Sequence, residues 1–277
     1  HHIASDGWSM RVLLQDLSEI YSDIIKYGRS RKSELKIQYM DYAEKQHDFM
    51  KSDEYRRQLA YWKEELVDAP PALKIFDDVI SETYNDNEGK RLYFEINEQL
   101  SEKIKQLCSK KNCTLYMFML SAFAVMLQRY SNQNDMVLGT LIANRNKEEL
   151  ESMIGFFVNS LPLRLNVDPD SKFNELLECV KNKTLNMYDN QDVQFDALVD
   201  ELNIGRTAGK NPLFQIIFVV QNAQIEEMDD ENAHWGMKIL DSETSKFDLI
   251  IQIFEIDGKL SVKLEYNLNC FAEDSME

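Results

Sequence analysis

Two histidines, a carboxylate and a glycine stand together in His1-His2-Ile3-Ala4-Ser5-Asp6-Gly7-Trp8-Ser9. Imidazole is the side chain best matched to proton transfer near neutral pH. Glycine admits a tight turn or a close backbone approach. Asp6 or Ser9 can cap a helix starting at Trp8. A group bound beside that helix start would meet its positive end and unpaired N–H donors, which suits an oxyanion or a polarised carbonyl. The expected geometry is a strand end, a turn at Asp6-Gly7, and then the helix. Adjacent strand residues point to opposite faces, so one histidine would face substrate and the other would be structural. Asp6 either orients the active histidine or pairs with a distant arginine, and the spacing leaves both open. A bare His-His pair reads more often as a tag or a surface pair; the residues after it overturn that reading.

The elements that must position this segment follow from periodicity. Residues 8–27 form an amphipathic helix with Val12, Leu13, Leu17, Ile20, Tyr21 and Ile24 on one side and Gly28 as its stop. Gly28–Gln38 is a polar, basic loop. Two more helices are expected at 39–50 and 53–67, the second with Leu59, Trp62 and Leu66 on one side, ended by Pro70-Pro71. Ala72–Gly89 is acidic and irregular. Beyond it, Arg91–Ile96 alternates as a strand. Leu100–Lys111 is a helix with Ile104 and Leu107 inward, and Thr114 caps a strongly apolar helix over Leu115–Tyr130. Met136–Ile142 and Phe156–Val167 read as strands, with a helix at Phe173–Asp189. Phe214–Val220 is apolar throughout, which fits a central strand covered on both faces. Phe247–Ile256 and Leu260–Leu268 flank Asp257-Gly258, a hairpin signal. The fold class is therefore α+β or mixed α/β, a mixed sheet flanked by helices.

Bulk composition narrows the partners. The 277 residues carry 31 Lys+Arg against 48 Asp+Glu, a formal charge of −17, which disfavours nucleic acid. Only 9 Gly and 5 Pro argue against disorder and against a turn-rich all-β fold. No apolar run approaches the roughly 20 residues of a membrane helix and none resembles a signal peptide, so a cytoplasmic protein with no membrane partner is expected. Cys108, Cys113, Cys179 and Cys270 lack metal-ligand spacing and read as reduced thiols. No phosphate loop or metal cluster is apparent.

The histidine segment resembles the HHxxxDGxS signature of condensation domains from non-ribosomal peptide synthetases. The likeness continues in that family's order. Tyr39-Met40-Asp41-Tyr42-Ala43 resembles its YxDYA segment, although its W-Q ending is Lys45-Gln46 here, and Tyr61-Trp62 matches its YW pair. Thr114–Tyr130, Val137-Leu138-Gly139-Thr140 and Ala143-Asn144-Arg145 are similar to its helix, strand and arginine stretch. Ile154–Arg164 resembles IGxFxNxLPLR. Gln191–Asp196 resembles HQDxPFE, departing at Asn190 and Gln194, where the family has His and Pro, and Asn211-Pro212-Leu213-Phe214-Gln215 closes the series.

The resemblance implies a chloramphenicol-acetyltransferase-like fold of two related lobes. Residues 1–70 would end the N-terminal lobe and 71–277 would be the C-terminal lobe, with most of the N-terminal lobe lying before His1. It implies peptide-bond formation between a donor acyl or peptidyl thioester and an acceptor aminoacyl thioester. Both would ride on phosphopantetheine of upstream and downstream peptidyl carrier proteins, beside an adenylation domain. The cofactor would then belong to the partners, with none bound directly. By the same resemblance His2 is the catalytic histidine, as a general base or as a group that holds the amine in line. Gly7 would donate a backbone N–H to the oxyanion, Asp6 and Arg145 would form a structural clamp, and His1 would be structural. Asn159 and Gln221 are candidate cleft-lining residues. Trp8 would pack under the motif. The basic clusters Arg29, Arg31, Lys32, Lys36 and Lys103, Lys105, Lys110, Lys111 read first as solvated faces and second as spots for acidic carriers. The alternatives are an epimerisation domain on the same scaffold and a non-catalytic carrier-recruiting fragment. Cyclising relatives carry an aspartate where this chain has His1.

Overall fold

The computed structural model describes residues 1–75, 87–205, 211–221, 228–229, 234–236, 243–256 and 258–276. Along the chain, a 3-10 turn at His2–Ala4 precedes α1 (Gly7–Tyr27), α2 (Tyr39–Phe49) and α3 (Asp53–Glu65). Then come β1 (Gly89–Ile96), α4 (Glu98–Lys111), α5 (Leu115–Ser131), β2 (Asp135–Ile142), α6 (Glu148–Glu151) and β3 (Asn159–Asn166). The remainder is α7 (Phe173–Asp189), α8 (Phe195–Glu201), β4 (Ile216–Gln221), β5 (Met228–Asp229), β6 (His234–Trp235), β7 (Leu249–Ile256), β8 (Lys259–Asn267) and α9 (Glu273–Met276).

The residues cluster into two compact units. One comprises His1–Arg57, Ile142–Asn159 and Ala223–Asp241; the other comprises Gln58–Leu141, Ser160–Asn222 and Ser242–Glu277.

The second unit is built on a six-stranded mixed sheet, in the order β1-β8-β7-β4-β2-β3. β1, β8 and β7 run antiparallel, whereas β4 pairs parallel with both β7 and β2. β4 is thus a central strand, and Ile216, Ile217, Phe218 and Val219 are all buried. A strand whose two faces are both covered has no solvent side on which to alternate. Phe123 of α5 stacks on Phe218, and Tyr116 meets the same ring edge-on. Gly139 on β2 is obligatory, because a Cβ there would sit 2.2 Å from the ring of Phe214.

Helix signals translate directly. Gly28 ends α1 at φ 73°, its N–H bonded to Ile24 O. Thr114 caps α5 by accepting from Met117 N. Trp62 is fully buried and donates Nε1–H to Asn190 O at 2.7 Å. β7 and β8 form the expected hairpin, with Gly258 at φ 80°; Asp257 lies outside the described residues, as does most of the irregular 72–89 stretch.

Some expectations need correction. Leu107 is 37% exposed while Ile104 is buried, because only the Ile104 side of α4 meets the core. The strand expected from Phe156 begins only at Asn159. The apolar residues of α1 are mostly outward: Val12 is buried, but Leu13, Leu17, Tyr21 and Ile24 are exposed.

Candidate active site

The hydrogen bonds that build the histidine motif lie within the first unit. Asp6 is the N-cap of α1, and its Oδ1 accepts from Ser9 N at 2.8 Å. Ser9 Oγ lies 2.7 Å from the same oxygen and 2.8 Å from Gly155 O, so its single proton is held between them. Ser9 Oγ in turn accepts from Gly155 N at 3.1 Å. Asp6 Oδ2 accepts from Phe157 N at 3.0 Å. The carboxylate thus ties the start of α1 to the 150–157 segment.

Arg145 completes the centre. Its Nη2 donates to Asp6 Oδ1 at 3.1 Å and to Ser9 Oγ at 2.9 Å, while Nη1 donates to Leu150 O and, at 2.6 Å, to Met153 O. Its guanidinium lies 4.1 Å over the ring of Phe157. The ion pair is essentially sealed, with side chains 2% and 0% exposed. Burial by itself would raise the Asp6 pKa, but the Ser9 and Phe157 hydrogen bonds and the Arg145 charge outweigh it and hold the carboxyl below its ordinary value.

Around this polar centre sits a small apolar shell of Leu150, Met153 and Phe157, packed by Leu35, Ile37 and Tyr42. Tyr39 donates its hydroxyl to Phe156 O at 2.8 Å. Its ring lies against Gly155, where a Cβ would be 2.3 Å away, so only glycine fits. Trp8 donates Nε1–H to Glu151 O at 2.8 Å. The tryptophan therefore anchors α1 onto the same segment.

The histidines themselves are arranged differently from the expected strand. They belong to a 3-10 turn: His1 Nδ1 accepts from Ile3 N at 3.1 Å and caps it. His2 Nδ1 lies 2.8 Å from Ser5 O. A carbonyl only accepts, so that nitrogen carries the proton and Nε2 is left as the acceptor of the neutral ring. The His2 ring is exposed and meets Phe156 edge-on, with centroids 5.1 Å apart. Among the described residues no strand pairs with residues 1–6, so strand alternation does not set the two rings apart; both bond to nearby backbone instead.

Gly7 also differs from expectation. It is the first residue of α1, not a left-handed turn, and a Cβ there would meet nothing within 4 Å. The amides of Gly7 and Trp8 stand in the first turn, where no preceding carbonyl of the helix can reach them.

His1, His2, Asp6, Gly7, Arg145 and Asn159 fall in the first unit, whereas Gln221 ends β4 in the second. Asn159 is buried at the head of β3. Of the basic clusters, Lys32 is taken up by Asp16 and Glu19, and Lys105 by Glu255. Sequence reading underrated Ser9 and missed the steric reason for Gly155. The signal for Ser9 was its place in the motif three residues after Asp6, the spacing of a cap and its N3 partner. Among the described residues no group of three or more His, Cys, Asp or Glu could hold a metal.

Comparison with known proteins decides the family: the condensation-domain family model matches residues 1–277. The chain belongs to the condensation-domain family. The domain is 37% identical over 277 residues to bacitracin synthase 3 of Bacillus licheniformis, and 34% identical over 277 residues to gramicidin S synthase 2 of Brevibacillus brevis. Each alignment covers 100% of this chain, which spans only 4% and 6% of those synthases. In solved structures the domain resembles holo-AB3403, a four-domain non-ribosomal peptide synthetase bound to AMP and glycine. That match has a TM-score of 0.86 and 25% identity, over 99% of this chain and 22% of the other. The X-domain from teicoplanin biosynthesis matches in fold with a TM-score of 0.86 at 20% identity, over 100% of this chain and 64% of its own. The mixed sheet flanked by helices is the chloramphenicol-acetyltransferase-like fold of these domains.

Proposed function

We propose that this condensation domain forms an amide bond between two carrier-bound thioesters, with His2 as the catalytic residue. The observation that carries the reading is the His2 ring: its Nδ1–H is tied to Ser5 O, its Nε2 is left as an acceptor, and it stands just ahead of a helix start. In the reaction, the acceptor's α-amine attacks the donor thioester carbonyl. The C–N bond forms, the C–S bond breaks, and one amine proton ends on the departing thiolate. A free α-amine titrates near ~8 and ordinary imidazole near ~6.5, so much of the amine is already nucleophilic at neutral pH. His2 Nε2 then serves by accepting an N–H bond that aligns the amine, taking its proton as the tetrahedral intermediate forms and passing it to sulfur. The Gly7 amide stabilises the developing oxyanion. Asp6 and Arg145 act as positioning residues that hold the start of α1, and His1 is structural. Asn159 is assigned to the substrate cleft.

In the same reading, residues 1–70 end the N-terminal lobe and 71–277 form the C-terminal lobe of the domain. The partners are upstream and downstream peptidyl carrier proteins and a neighbouring adenylation domain; the phosphopantetheine belongs to the carriers. The setting is the cytoplasm, in keeping with the lack of any membrane-spanning helix among the described residues. Dipeptide formation between two loaded carriers, in the intact synthetase module with and without His2→Ala, tests the reading. Equal rates would leave a carrier-recruiting scaffold. Exchange of the α-hydrogen of a loaded L-aminoacyl carrier without dipeptide would point to epimerisation.

A further inference from the structure

The C-terminus of α4 ends in an arrangement that brings two cysteines together. Asn112 takes the left-handed conformation at φ 51°. Cys113 N donates to Cys108 O at 3.0 Å, and Asn112 N donates to Ser109 O at 3.1 Å. These are the paired six-to-one and five-to-two bonds of a Schellman cap, which places the side chains of the first and last residues in contact. In most such caps that contact is between two apolar side chains. Here both positions are cysteine, so the cap sets two thiols side by side at the end of α4. Cys108 is buried and Cys113 half-buried. No disulfide joins them in this structure.

We propose that Cys108 and Cys113 are a redox pair that closes to a disulfide across the end of α4. The oxidant is a low-molecular-weight disulfide. The half-buried Cys113 thiolate attacks one of its sulfurs and expels a small thiol; Cys108 then attacks the mixed disulfide and expels the second. Two protein S–H bonds become one S–S bond, the small disulfide is reduced to two thiols, and the protons go with them. Cys113 is the more accessible of the two and so the first attacker, and the buried Cys108, whose thiol burial pushes up to about 11, is the resolving partner.

The consequence is local. Cys113 is followed directly by Thr114, the cap of α5, and the first turn of α5 lines a cavity of about 150 Å³ with Thr140, Tyr188 and Val219. A covalent tie at this junction would hold the ends of two helices in one geometry. It is independent of the peptide-forming role of His2.

The test uses the whole chain, treated with oxidised glutathione, alkylated and digested with trypsin. Lys110 and Lys111 lie between the two cysteines, so cleavage separates them unless they are joined. The expected result is a disulfide-linked pair of peptides carrying Cys108 and Cys113, reversed by dithiothreitol. Oxidation should also raise the melting temperature by a few degrees in the parent and leave Cys113→Ser unmoved. Oxidation that stops at a glutathione adduct, or that joins either residue to Cys179 or Cys270, overturns the pairing. A link that forms without moving the melting temperature overturns its role as a cap.

Discussion

The histidine turn and the Asp6–Arg145 centre lie within a few residues of each other at their start yet are built on opposite terms. His1 and His2 are exposed and bonded to backbone two or three residues away. Asp6 is buried and bonded to Arg145 and Phe157, 139 and 151 residues on. Local bonds leave a ring accessible and its Nε2 uncommitted, which is what proton transfer needs. Long-range bonds fix a helix end, which is what positioning needs. A charge as sealed as Asp6 cannot also serve solvent-delivered substrate. The motif thus divides into an exposed, locally bonded part, to which the proposed chemistry is assigned, and a buried scaffold part, with the boundary between Ser5 and Asp6.

Substitutions on either side of that boundary should fail in different ways. Asp6→Ala has the largest expected effect: it leaves Arg145 buried without its counter-charge, at a cost of about 3–5 kcal/mol, and dipeptide formation should fall with it. Urea unfolding checks this, and an unchanged midpoint would mean the clamp carries no stability. His2→Ala should lower the rate about 10²–10⁴-fold while the same unfolding curve stays put. A matching loss of stability would erase the division between the two parts. Gly7→Pro probes the boundary from the helix side. Proline is well tolerated at the first helical position and Asp6 is already extended, at φ −126° and ψ −176°. The substitution therefore removes one N–H with little effect on folding. If that amide stabilises the oxyanion, the rate falls about 10²–10³-fold; an unchanged rate sends the oxyanion elsewhere. Ser9→Ala deletes the hydroxyl that Asp6, Arg145 and Gly155 share, and should cost about 1–3 kcal/mol by the same unfolding assay.

The smallest effect is acid sensitivity. The folded state holds the Asp6 pKa below its unfolded value. Its stabilising contribution is therefore complete above the ordinary carboxylate value of about 4, and is lost as pH falls through the lowered folded value. Stability measured from pH 5 downward should fall less steeply in Asp6→Asn than in the parent; parallel slopes would remove Asp6 from the acid transition.

Legibility in the sequence follows the range of the interactions. α7 was readable end to end at Phe173–Asp189, since helical periodicity and its ends are local signals. The apolar run of β4 announced a strand covered on both faces. The N-terminal turn was misread because two adjacent histidines carry no strand or helix period, and the deciding bonds, His1 to Ile3 N and His2 to Ser5 O, compete with regular pairing. Gly155 was legible only as part of the IGxFxNxLPLR likeness, and the ring of Tyr39 packed against it supplies the steric reason.

Residue type and near-neighbour spacing were enough to establish most of the longer helices and strands, a helix cap at Asp6 or Ser9, and the family resemblance that singled out His2, Asp6 and Arg145. Folding in three dimensions was needed to show that Asp6 shares its oxygens among Ser9, Arg145 and Phe157, that Gly155 must lack a side chain, and that Cys113 N bonds back to Cys108 O. The first two depend on segments more than a hundred residues apart meeting in one buried volume, and the third on the left-handed turn at Asn112.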